Sequence, residues 1–110
     1  MTDRRKSPRF DVVLRARFKS KEQFQEAYIQ SLSPGGLFLA TDSPFDVGYQ
    51  FVLEIHLPRQ RGVIKGECEV VWVNEIGVDN YPKGMGVMFL EMSTKGKKLL
   101  EEYLHDLTDN

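Results

Sequence analysis

The sequence predicts a mainly β fold: a six-stranded antiparallel β-barrel followed by one C-terminal α-helix. Three observations carry this expectation. Short runs alternate apolar with polar residues, the period of half-buried strands. The runs are joined by local turns rich in Gly, Pro, Asp and Ser. Only the C-terminal stretch repeats its apolar residues at helical spacing.

The first strand is expected over Val12 to Phe18, where Leu14, Ala16 and Phe18 fall on one face and Arg15 and Arg17 on the other. A second runs from about Glu26 to Gln30, and the Ser33-Pro34-Gly35-Gly36 turn leads into a third at Leu37 to Ala40. Beyond a turn containing Asp42, Ser43, Pro44 and Gly48, the alternation of Phe51, Leu53, Ile55 and Leu57 with Gln50, Val52, Glu54 and His56 gives the clearest strand. In the next, Ile64, Gly66, Cys68, Val70 and Trp72 share one parity, so Trp72 is expected inside the barrel with Phe51 and Phe89 rather than against a ligand. Asn74 to Lys83 reads as a polar loop and Met85 to Leu90 as the last strand. Ser93 or Thr94 can cap a helix whose apolar stripe is Leu99, Leu100, Tyr103, Leu104 and Leu107, and which covers an open edge or mouth of the barrel.

A chain of 110 residues, 41% hydrophobic and 28% charged, has room for one modest core. The expected organisation is a single domain over 1–110: a flexible, arginine-bearing segment at 1–10, the barrel at 11–92 and the helix at 93–107. No apolar run is long enough to span a bilayer, and the charged start lacks an apolar signal region, so a cytoplasmic location without membrane insertion is expected. The single cysteine, Cys68, has no disulfide partner and reads as a core or barrel-wall residue.

Charge is distributed unevenly. Residues 1–19 hold seven Arg and Lys against two Asp, while the rest of the chain is net acidic. A focused basic cluster on an acidic body fits a small anion site and not a long polyanion track, so DNA is not expected as a partner. His56 and His105 lack companions at metal-ligand spacing, and Ser33 lacks identifiable His and acid partners. Neither an enzyme nor a metal or cofactor is expected.

Two segments remain to be explained. Arg4, Arg5 and Arg9 lie in the basic start, and Ser31-Leu32-Ser33-Pro34-Gly35-Gly36 forms a hydroxyl- and glycine-rich turn. Arginine forks bind phosphate oxygens or a guanine edge bidentately and stack on bases, and a glycine lets backbone approach a ligand, so the pair suits an anionic, planar ligand such as a nucleotide. The spacing Arg5-xxx-Arg9, then Ser31-x-Ser33-x-x-Gly36 leading into Leu37-Phe38-Leu39, with Gly84-Met85-Gly86-Val87-x-Phe89 late in the chain, resembles a PilZ domain over almost its whole length. That resemblance implies the same barrel and helix and a stand-alone receptor for cyclic di-GMP. The ligand would be bound through Arg4, Arg5, Arg9, Ser31, Ser33, Gly35 and Gly36, with two ligands held per chain where Arg4 bridges the second guanine. Binding would be relayed to an unidentified protein partner in motility, pilus, polysaccharide or related regulation. The second motif is usually [D/N]xSxxG, and Ser31 stands at its acidic or amide position. This departure leaves a second reading, a degenerate PilZ adaptor that acts through protein contacts without the nucleotide.

Overall fold

In a computed structural model, residues 9–20, 22–77 and 82–108 are described. Six strands, β1 (Phe10–Ser20), β2 (Gln23–Ser33), β3 (Gly36–Ala40), β4 (Gln50–Leu57), β5 (Gly62–Asn74) and β6 (Gly84–Met92), precede one helix, α1 (Thr94–Thr108). Every pairing is antiparallel, and the strands close in the order β1-β2-β3-β6-β5-β4. The expected barrel and helix are thus the observed architecture. The expectations for residues 1–8 lie outside the described residues, and Phe10 already belongs to β1.

The alternation of β1 and β4 places Leu14, Ala16, Phe18, Leu53 and Ile55 inside, each 3% exposed or less. Ile29, Leu32, Leu39, Ile64, Val70 and Met85 complete the barrel interior. Cys68 is fully buried there, and loss of hydration pushes its thiol up to about 12 from an ordinary 9.0, which keeps it protonated and unreactive.

With every pairing antiparallel, the connections sort to the two ends of the barrel, and the one from β3 to β4 crosses an end because those strands are not neighbours. At one end the loop after β3 tucks Phe45 inward, where its ring meets Phe18 and Phe51 edge-on at 5.6 and 5.2 Å. At the other end α1 lies over the barrel, adding Leu100, Tyr103 and Leu104 to the core. Ser93 is the residue that caps it: its hydroxyl accepts the Gly96 N–H at 3.0 Å. Arg61, on the β4–β5 turn, ties the helix down through Asp106 at 2.6 Å.

Two expectations need correction. β2 begins at Gln23 rather than near Glu26, because Gln23 to Glu26 pair with β1 even though no apolar alternation marks them. Trp72 does not fill the barrel. The β5–β6 register shifts between Val70 and Trp72, and this extra residue resets the alternation, so Val70 is fully buried while Val71 and Trp72 are 43% and 41% exposed. Phe51 is buried as expected, and Phe89 is half-buried against the core.

Candidate functional site

The β2–β3 turn sits at the helix-bearing end, next to the start of β1. Ser33 and Gly36 are register partners that close it, and the Ser33 hydroxyl donates to the Gly36 carbonyl at 3.2 Å. The Gly35 carbonyl accepts the Phe89 N–H at 3.0 Å, which pins the turn to β6. Gly36 is required sterically: a Cβ there would lie 2.2 Å from the Val87 carbonyl oxygen. Its missing side chain therefore serves the close approach of β3 to β6, a demand that the sequence reading assigned to the ligand.

Beside this turn is a cleft of about 210 Å³ lined by Arg9, Ser33, Gly35, Gly36 and Leu37 from one side and by Val71, Trp72, Gly86 and Val87 from the other. Four of the residues expected to bind ligand therefore meet in one place. Ser31 does not line the cleft. It is half-buried in β2, with Asp11 of β1 and Phe38 of β3 as its register partners. Arg4 and Arg5 lie outside the described residues.

The indole of Trp72 is held in a defined pose. Gly86 on β6 is paired with both Phe38 and Trp72, and the two rings meet on the strands flanking it, stacked with centroids 5.2 Å apart and planes 25° from parallel. A Cβ on Gly86 would come within 2.1 Å of the indole nitrogen, so only glycine leaves room for this arrangement. An exposed aromatic face, an arginine and a hydroxyl-bearing turn thus converge on one cleft. That set can stack a planar base and hold a neighbouring anion. Sequence reasoning missed Trp72 because its parity matched the core; the β-bulge that turns it outward has no signature in the local composition. Cross-strand pairing also puts the Asp11 carboxylate beside Ser31 on the same face, outside the cleft lining.

The comparisons with known proteins agree with this architecture. The family model for the PilZ domain matches residues 3–106. The chain belongs to the PilZ domain family. PilZ domains are receptors for cyclic di-GMP, and no catalytic family is indicated. Among solved structures, the Bacillus subtilis inhibitor of motility MotI/DgrA is 21% identical with a TM-score of 0.80, over 99% of this chain and 54% of that one. The PilZ domain of YcgR from Escherichia coli, solved with c-di-GMP, is 20% identical with a TM-score of 0.76, covering 97% and 93% of the two chains. The K. pneumonia MrkH–c-di-GMP complex is 22% identical with a TM-score of 0.81, covering 97% and 52%. The chain thus spans about half the length of the MotI and MrkH chains. No curated protein sequence matches it. Among the described residues no helix is long and apolar enough to cross a membrane, and no cluster of three His, Cys, Asp or Glu could hold a metal ion.

Proposed function

We propose that this chain is a cyclic di-GMP receptor that relays ligand binding to a protein partner. The observation that carries the reading is the convergence of Arg9, Ser33 and the exposed face of Trp72 on one cleft. The ligand's two guanines offer flat faces for the indole and edges for arginine forks, and its phosphates offer charge-assisted contacts. Arg4 and Arg5 supply the remaining cationic contacts, and Arg4 bridges a second guanine, giving two ligands per chain. Ser33 retains acceptor capacity while it donates to Gly36.

The relay follows from what the turn touches. Gly35 is bonded to Phe89 of β6, and Pro34 lines a groove with Lys97 and Leu100 of α1. A ligand that draws the arginine-bearing segment onto this end changes the surface formed by segment, turn and helix together. That surface is the one a partner in motility, pilus, polysaccharide or related regulation would read.

One observation favours the second reading, an adaptor without nucleotide: Ser31 stands outside the cleft lining and carries no charge. Calorimetric titration with cyclic di-GMP separates the two. The receptor reading expects saturable binding with two ligands per chain, and a loss of about 1.5–3 kcal/mol on Arg5→Ala or Arg9→Ala, the usual effect of removing a hydrogen bond to a charged group. Absence of saturable heat selects the adaptor, whereas arginine variants that bind like the parent place the nucleotide on other residues. A stoichiometry of one that Arg4→Leu leaves unchanged removes the bridging role of Arg4.

A further inference from the structure

The barrel is closed, but its β1–β2 hairpin extends beyond the closure. β2 pairs with β1 all the way to Gln23, whereas β3 takes up the other side of β2 only from Tyr28, which lies opposite Ala40. Gln23 to Ala27 therefore has a strand partner on one side alone among the described residues. The loop after β3 does not fill the gap: its backbone hydrogen bonds from Thr41 and Gly48 go to Lys83 and Val70.

A free edge is a template for another strand unless it is blocked by proline, an inward charge, a bulge or a cover. Among the described residues, this one has none of those devices. It reads Gln23-Phe24-Gln25-Glu26-Ala27, and Phe24 is 57% exposed on the outer face with the Arg17 guanidinium 3.9 Å from its ring centre. Two residues separate the closing pair Ser20 and Gln23. Counting the antiparallel alternation from that turn directs the N–H and C=O of Phe24 and Glu26 away from β1, toward the open side.

We propose that this edge pairs with the same edge of a second copy of the chain, antiparallel and centred on Gln25. Charge selects that register. Centring on Glu26 would set two carboxylates directly opposite each other, and centring on Phe24 would set Glu26 against Glu22; like charges so placed are destabilising. Centring on Gln25 puts Phe24 opposite Glu26 of the second copy, twice by symmetry, and both residues present their open hydrogen-bonding groups to each other. The outer face of the resulting ribbon then carries the two Glu26 carboxylates in its middle, flanked by Arg15, Arg17 and Lys19 on both β1 strands, which pair in each copy with Tyr28, Glu26 and Phe24. Arg15 already holds its own Glu26 at 3.1 Å. The self-complementary patch is what a two-fold dimer requires. It is independent of nucleotide binding, because none of these residues lines the ligand cleft.

The test is sedimentation or light scattering of the whole chain against concentration. The parent mass rises from 12.7 kDa toward twice that value. Two substitutions at one position probe the register. Phe24→Glu and Phe24→Lys both remove the ring, but only the first sets a carboxylate opposite Glu26 of the second copy, so Phe24→Glu stays monomeric while Phe24→Lys still dimerises. Glu26→Pro, which removes an edge N–H that β1 does not use, also stays monomeric, with circular dichroism confirming that the variants fold. A parent that remains monomeric throughout, as it would if the edge receives a strand from a different protein, overturns the proposal. So does equal behaviour of the Glu and Lys variants.

Discussion

Ser31 is the one residue at which this chain leaves the pattern of its family's second motif, and the structure sets a carboxylate across from it. Asp11 is exposed at the start of β1 and is the register partner of Ser31. Directly opposed residues share a face with Cβ atoms about 5 Å apart, within reach of one guanine edge. Asp11 can therefore supply the charged acceptor that the hydroxyl lacks. In calorimetric titrations Asp11→Ala is expected to weaken cyclic di-GMP binding by about 1.5–3 kcal/mol, and adding Ser31→Asp to that variant should restore most of the loss. Ser31→Asp alone should gain little, because it faces Asp11 and the two carboxylates repel. A strong coupling between the two positions is thus the expected result of the double-mutant cycle. Additive effects, or an Asp11→Ala that binds like the parent, would place the guanine edge elsewhere.

At the scale of elements, the β4–β5 connection stands out as locally unfavourable. Arg59 (φ 56°, ψ 33°) and Gln60 (φ 58°) both occupy the left-handed region between Pro58 and Arg61, and the Arg61 N–H reaches back to the Pro58 carbonyl at 3.3 Å. This is the geometry of a tight hairpin turn that Asn-Gly adopts with little strain, whereas Arg-Gln does not. Replacing Arg59→Asn together with Gln60→Gly should stabilise the fold by about 1 kcal/mol, read as a raised denaturation midpoint with an unchanged denaturant slope. A lowered midpoint would show that Arg59 and Gln60 make contacts worth more than the strain. Neighbouring elements differ in how far the sequence announced them. β4 and the helix were fully legible, since strict alternation from Phe51 to Leu57 and the Leu99, Leu100, Tyr103, Leu104 spacing each match one period. The first half of β2 was not, because Gln23 to Glu26 is held in the sheet by pairing with β1 and buries no side chain. For the cleft, Arg9, Ser33 and Gly36 stand at the spacing on which the family resemblance rests, and Gly35 lies in the same turn. The place of Trp72 was not legible, because a single bulge reverses the meaning of its parity, and neither was the position of Asp11 opposite Ser31, because cross-strand register is a property of two segments and of neither alone.

For the whole molecule, the cleft lies at the end of the barrel where the start of β1, the β2–β3 turn and the helix all meet, while the free edge of β2 lies at the other end. The proposed ligand cleft and the proposed pairing edge thus lie on separate surfaces of one barrel. Cyclic di-GMP bound in the cleft would lie against Trp72, and the chain carries its own reporter there, since Trp72 is its single tryptophan. A stacked guanine changes the surroundings of an indole that is now 41% exposed and held against Phe38. Titration of the intrinsic tryptophan fluorescence with cyclic di-GMP is the most direct measurement. A saturable quench is expected whose midpoint moves to at least about tenfold higher ligand concentration in Arg9→Ala; emission that stays unchanged up to saturating ligand would contradict binding in the cleft.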